Sequence, residues 1–125
     1  MQVSEHFTAK ELACSHCTSA GASGLPDWID EFAMHLEDLR DEAKMPLPIS
    51  SGFRCLSHPI EAAKQYAGMH FYGAADVLVS GAEAQRLIGV AIQGGWLGIG
   101  VQQKGPIEGR YIHLDRRAQA ALWSY

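Results

Sequence analysis

No apolar run in this sequence approaches the roughly 20 residues that a membrane-spanning helix requires. The first residues lack the basic and apolar regions of a secretory signal, so the expectation is a protein made, and first located, in the cytoplasm. Positive charge is scarce: 10 Lys and Arg stand against 14 Asp and Glu, for a net charge of −4 with His neutral and a pI near 5.8. That balance argues against nucleic acid or an anionic membrane as the main partner. Internal repeats and low-complexity tracts are missing as well. Around Cys14-Ser15-His16-Cys17 there is no strand-helix-strand pattern of the thioredoxin type, which weighs against a redox protein.

What is present describes an ordinary globular chain. At 125 residues, with 47% hydrophobic and 19% charged residues, the expectation is one domain over residues 1–125 with a real core. Thr8-x-x-Glu11 is a capping box that predicts a short helix over 9–13. Residues 18–24 are small and polar, hence a loop. Pro26, with Asp27 and Asp30 behind it, opens an amphipathic helix over 26–44, on which Ile29, Phe32, Ala33, Leu36, Leu39 and Ala43 share one face.

Pro46 and Pro48 end that helix and lead into a short edge strand over 47–51. Ser80-x-x-Glu83 predicts a second capped helix over 81–93, with Leu87, Val90 and Ala91 toward the core and Gly94-Gly95 as its stop. Strands are expected after Gly73, over 96–101 and over 110–115, the last two joined through a Gly105-Pro106 turn. Residues 116–123 read as a helical tail with Ala118, Ala121 and Leu122 on its apolar side. The sum is an α+β fold: a small, mainly antiparallel sheet of about four strands with helices packed on one face.

Two stretches pair imidazole with carboxylate on short apolar runs. One is Gly68 to Val77, holding His70 and Asp76; the other is Tyr111-Ile112-His113-Leu114-Asp115. Two histidine nitrogens and one carboxylate oxygen suit a zinc ion that keeps its fourth position open, a catalytic arrangement. Zinc lowers the pKa of water in that position to roughly 7 and polarises a carbonyl, so the implied chemistry is hydrolysis of an amide or ester. Against this, 6 histidines make a chance pair easy, and a histidine beside a strand is more often a hydrogen-bonded group than a ligand. By the two-residue period Tyr111, His113 and Asp115 share one strand face, and Ile112 and Leu114 the other.

Cys14-Ser15-His16-Cys17 and Cys55-Leu56-Ser57-His58 have the spacing of a structural Cys3His zinc site. Buried thiols, or a bridge between Cys14 and Cys55, explain the same residues more simply, and the expectation is no second metal.

Motifs spread over nearly the whole chain resemble one family. They are His6-Phe7-Thr8 with Glu11-Leu12-Ala13-Cys14, Ser51-Gly52-Phe53-Arg54-Cys55 with His58, His70-x-x-Gly73 with Ala74-Ala75-Asp76, Gly98-Ile99-Gly100-Val101, and Ile112-His113-Leu114-Asp115. Together they resemble the zinc D-alanyl-D-alanine carboxypeptidase family, which includes bacterial and phage cell-wall endopeptidases (endolysins) and shares a fold with the hedgehog signalling domain. The resemblance implies a Zn2+ ion held by His70, Asp76 and His113. It also implies zinc-dependent hydrolysis of a peptide bond in the peptidoglycan stem or crosslink, by a carboxypeptidase or endopeptidase that acts as a monomer on a peptidoglycan peptide. Without a signal, such an enzyme reaches the cell wall only if released, or delivered by a virion.

The same resemblance puts Arg54 at the active site, where a guanidinium binds a substrate carboxylate or a developing oxyanion through paired hydrogen bonds. Ser51 and Tyr72 are further substrate-binding candidates. Asp115 and Glu108 are the candidates for moving the proton: Asp115 shares the strand face of His113, and Glu108 ends the preceding loop. Either can instead be a surface carboxylate or a partner that orients a ligand.

One departure bears on the metal. The family pattern reads His-x-x-Gly-x-Ala-x-Asp, whereas this chain has one residue fewer between Gly73 and Asp76, and Gly68 stands where the family has serine. A residue lost inside a strand turns Asp76 to the opposite face. A loss absorbed at Gly73, where glycine tolerates conformations closed to other residues, leaves Asp76 facing the metal. The first outcome favours a non-catalytic hedgehog-like binding or structural module of a phage particle; the second favours the enzyme.

Overall fold

Thr8 opens the first helix in the computed structural model, which describes residues 2–19, 23–66 and 68–125. Its hydroxyl accepts from the Glu11 amide, and the Glu11 carboxylate accepts from the Thr8 amide, closing the capping box that starts α1 (Ala9–Leu12). α2 (Ser15–Ser19) follows almost at once, so the loop expected over 18–24 begins later, and residues 20–22 of it lie outside the described residues. α3 (Ile29–Ala43) buries all six of the residues that its apolar spacing put on one face. It starts at Ile29 rather than Pro26 because the Ile29 amide donates to the Pro26 carbonyl at 3.2 Å, making a turn first.

The chain then runs through β1 (Ile49–Ser51), α4 (Pro59–Ala62), α5 (Met69–Tyr72), β2 (Ala74–Leu78), α6 (Gly81–Gln93), β3 (Gly98–Gln102), a 3-10 turn at Ile107–Gly109, β4 (Tyr111–Asp115) and β5 (Ala121–Ser124). α6 begins where the Ser80-x-x-Glu83 pattern puts it, but Ser80 makes no side-chain capping bond. None of the described helices is long and apolar enough to cross a membrane.

The strands form one sheet in the order β1-β2-β4-β3-β5, antiparallel throughout except for the parallel pair β3 and β5. Ala75, Val77, Ile99, Ile112 and Leu114 turn to one face, where they join Phe32 and Leu36 of α3 and Leu87 and Ala91 of α6 in a continuous core. Fully burying a leucine such as Leu36, Leu87 or Leu114 stabilises the fold by about 2 kcal/mol each. The alternation that sends these residues inward sends Asp76 and His113 to the other face.

The tail is a strand, not the expected helix, and the sheet has five strands rather than about four. Ala121 and Trp123 are half-buried while Leu122 and Ser124 are exposed or partly so, the two-residue period of an edge strand. The Ala121 amide donates to the Leu97 carbonyl at 2.9 Å and the Tyr125 amide to Val101 at 3.3 Å. β3 offers an open row of backbone partners, and pairing with it outweighs a weak local preference for helix.

Candidate metal centre and active site

The site is built where α5 turns into β2. Gly73 closes α5 by donating its amide to the Met69 carbonyl at 2.7 Å, and it sits at φ 131° and ψ 94°, a conformation that L side chains rarely adopt. The shortening is absorbed in this turn rather than in the strand. From Ala74 to Leu78 the register with β4 is unbroken, so Asp76 stands directly opposite His113 and on its face.

Three donor atoms converge there. The ring of His70 donates from Nδ1 to the Gly52 carbonyl at 2.7 Å, which leaves Nε2 with its lone pair aimed at Asp76 Oδ1, 3.2 Å away. His113 faces the Asp115 carboxylate with Nε2 at 2.7 Å and presents Nδ1 to the same Asp76 oxygen at 3.1 Å. Two neutral rings held in this way direct lone pairs at an anionic oxygen, an arrangement that a cation at their centre relieves. Zinc bonds of about 2.0–2.1 Å put tetrahedral ligand atoms about 3.3 Å apart, close to the spacings observed, and the three ligand atoms all lie within 4.8 Å of one another. The donor set therefore fits a metal ion such as zinc.

The field at the centre is arranged for ionised carboxylates. Burial pushes Asp76 up, but hydrogen bonds from His113 and His70 and their charge outweigh it and bring its pKa down to about 2. Burial disfavours the imidazolium of His113, yet the bonds to Asp115 and Asp76 raise its pKa overall. Asp115, with no exposed surface, is also held well below the usual carboxylate range: burial opposes this, but Arg117 and His113 prevail. Arg117 donates to Asp115 from its amide at 3.1 Å, from Nε at 2.8 Å and from Nη2 at 2.7 Å. Gly98 makes room for that carboxylate, since a Cβ there would occupy its place.

Arg54 reaches the same face. Its guanidinium lies 3.9 Å from Asp76 Oδ2 and 3.7 Å from Glu61 Oε2, and its amide donates to the His70 carbonyl at 3.1 Å. Buried Glu61 in turn accepts from Lys64 at 2.9 Å and from the Gly68 amide at 2.6 Å, which fixes the entry to α5. A hollow of about 370 Å³ opens over the centre, with Arg54, Lys64, Tyr111, Arg117 and Trp123 on its walls beside His70, Asp76 and His113. Burial and the neighbouring Tyr125 push the Tyr111 hydroxyl up to about 12.

The remaining sequence candidates stand elsewhere. Ser51 is half-buried on β1, paired with Asp76 through the backbone. Tyr72 is 61% exposed on α5 with its ring against Phe71, and it is outside the hollow. Glu108, in the 3-10 turn, lines a different hollow with Pro46, Pro48 and Glu83. Asp115 touches the centre only through His113. Sequence reasoning missed Glu61, Arg117 and Trp123. The Trp123 ring packs on His113 with centroids 5.1 Å apart, over Gly100, where a Cβ would come within 2.6 Å of the indole. The alternation of 121–124 was the available signal, and it was read as helix.

No curated protein and no solved structure matches the chain significantly. The family model described as Peptidase M15 matches residues 5–115, which take in His70, Asp76, His113 and Arg54. With nearly the full length matched and a His-Asp-His group able to hold a metal on the sheet, the chain belongs to the Peptidase M15 family of zinc-dependent metallopeptidases.

Proposed function

We propose that this protein is a zinc peptidase that hydrolyses a peptide bond of peptidoglycan, in the stem or in the crosslink between stems, with His70, Asp76 and His113 as the zinc ligands. The observation that carries the reading is the convergence of His70 Nε2 and His113 Nδ1 on Asp76 Oδ1, at 3.2 and 3.1 Å, on the floor of an open hollow. When bound, zinc supplies a Lewis acid that polarises the scissile carbonyl and lowers the pKa of water to roughly 7.

The residues around it have separate tasks. Arg54 and Lys64 make the wall beside the centre cationic, which suits a stem peptide with its free carboxylates. Arg54, within ion-pair reach of Asp76, receives the substrate carboxylate or the oxyanion that develops as the carbonyl is attacked. Tyr111 stays protonated at neutral pH and acts as a hydrogen-bond donor to the bound peptide. Asp115 and Arg117 fix the ring of His113, and Trp123 covers it from water.

One observation favours a second reading, a non-catalytic binding module on the same fold: Asp76 is the only carboxylate lining the hollow among the described residues. A digest separates the two. Zinc-loaded protein is incubated with purified peptidoglycan and with stem peptides carrying terminal D-Ala-D-Ala, and release of D-alanine or shortened stems is followed. The expected result is release that stops on chelation, with His113→Ala losing one equivalent of zinc. No release from either substrate class by zinc-loaded protein favours the binding module; unchanged zinc in His113→Ala removes the centre as drawn.

A further inference from the structure

The motif that the active site leaves unused is the cysteine cluster. Cys14 precedes α2, Cys17 lies within it, and Cys55 follows Arg54 in the loop after β1, yet their three Sγ atoms all lie within 4.8 Å of one another. They are all the cysteines of the sequence, and all are free thiols. Cys14 is fully buried, and Cys17 and Cys55 are half-buried.

The backbone is built to bring them together. The Phe53 amide donates to the Leu12 carbonyl at 2.9 Å, and Gly52 lies so close to Leu12 that a Cβ would sit 2.7 Å from that carbonyl. This contact sets Cys55 against Cys14, and the Cys55 amide donates to Cys14 Sγ at 3.3 Å. The Cys14 amide is tied to the Gly24 carbonyl at 2.7 Å, and Thr18 donates to the Cys14 carbonyl through its hydroxyl at 2.8 Å. An imidazole stands beside the thiols, with His16 Nδ1 3.6 Å from Cys55 Sγ. His58 is otherwise engaged: its Nδ1 accepts from the Ile60 amide at 3.1 Å as the cap of α4.

Three mutually adjacent thiols are poorly explained by packing or by a disulfide, because any bridge leaves the third sulfur over. A tetrahedral zinc with Zn–S bonds of about 2.3 Å holds its sulfurs about 3.8 Å apart, the scale of this cluster. We propose that Cys14, Cys17 and Cys55 hold a structural zinc ion, with His16 as the fourth ligand, that ties the N-terminal segment to the loop carrying Arg54. This reverses the expectation from spacing that these residues hold no metal, and it exchanges His58 for His16. Four protein ligands leave no open position, so the site is structural rather than catalytic. In the metal-free chain burial raises the Cys14 thiol, but the amides of Cys55 and Cys17 outweigh it and lower its pKa, while the bond with Cys55 pushes Cys17 up to about 12. Zinc binding here therefore releases protons.

The test counts metals and thiols on the whole protein, purified under reducing conditions. Two equivalents of zinc are expected in the wild type, one lost in Cys17→Ser and the other in His113→Ala, so failure at one centre is distinguishable from failure at the other. Exchange with cobalt(II) should give a thiolate-to-cobalt charge-transfer band in wild type and His113→Ala, and none in Cys17→Ser. Should Cys17→Ser fail to fold, the wild type decides alone: all three cysteines should resist a thiol reagent until a chelator is added. A reduced wild type with no thiolate-to-cobalt band, or with freely reactive thiols or a Cys14–Cys55 disulfide as isolated, overturns the site.

Discussion

Asp115 holds His113 from behind: the carboxylate, without exposed surface, meets Nε2 at 2.7 Å, and the other nitrogen of the ring is thereby committed to Asp76. The bond selects the tautomer with its lone pair on Nδ1 and raises the basicity of that nitrogen as a ligand. Asp115→Ala should therefore weaken zinc binding at this centre by about 10–100-fold. Competition against a chelator of known affinity checks it, and a retained affinity would mean that Trp123 and the strand alone orient the ring.

Arg54 shows the opposite pattern, since it approaches Asp76 no nearer than an ion-pair distance of 3.9 Å and donates no bond to the imidazoles. Arg54→Ala should leave zinc content unchanged and lower the rate of stem-peptide hydrolysis by about 100–1000-fold, the usual loss for an oxyanion donor. Arg54→Lys should recover only part of it, because an ammonium cannot make the paired bonds of a guanidinium. Turnover and metal content measured on the same preparations test both statements.

At Gly73 the cost of a side chain is in the backbone. A Cβ would meet Phe32 at 3.6 Å and Trp28 at 3.7 Å, ordinary contacts, but φ 131° is strained for any L residue. Gly73→Ala should lose about 1–3 kcal/mol of stability and, by moving the start of β2, weaken the metal centre as well. Urea unfolding gives the first and zinc titration the second.

Far from the centre, Glu37 on α3 gathers the N-terminal segment: its carboxylate accepts from Ser4 Oγ at 2.6 Å and from the His6 amide at 2.7 Å, and meets His6 Nδ1 at 2.6 Å. Burial raises its pKa, but the bonds from Ser4 and His6 outweigh that, and the folded value is lowered. A carboxyl depressed by folding contributes stability that is fully present above the unfolded pKa of about 4.3 and is lost as pH falls through the folded value. Glu37→Gln should cost about 1–3 kcal/mol at neutral pH, and its deficit against wild type should shrink in acid below the carboxylate range. Unfolding midpoints across a pH series measure it.

Local chemistry was legible in the sequence. The capping box at Thr8, the buried stripe of α3 and the alternation of β4 each depend on residues within a turn or a strand of one another, and their periods state which face is buried. The motifs named His70, Asp76 and His113 in advance, and the structure brings those three together. They also named Tyr72 and Glu108, which stand outside the hollow, because proximity along the chain does not say which way a turn points.

The tertiary structure decided what depends on contacts between distant segments. Whether the missing residue before Asp76 turned the carboxylate away could be settled only by the register of β2 on β4, which closes the strip from Ala74 opposite Asp115 to Leu78 opposite Tyr111. β5 became a strand because β3 had an edge to offer it, and that docking delivers Trp123 to His113 and completes the side of the fold where Arg117 grips Asp115. The meeting of Cys14 with Cys55 is of the same kind. Separated by 41 positions, they meet because Gly52, lacking a side chain, lets one backbone lie against another. Periodicity reports the face a residue turns outward; what waits there is set by which segments pack, and that is a property of the whole chain.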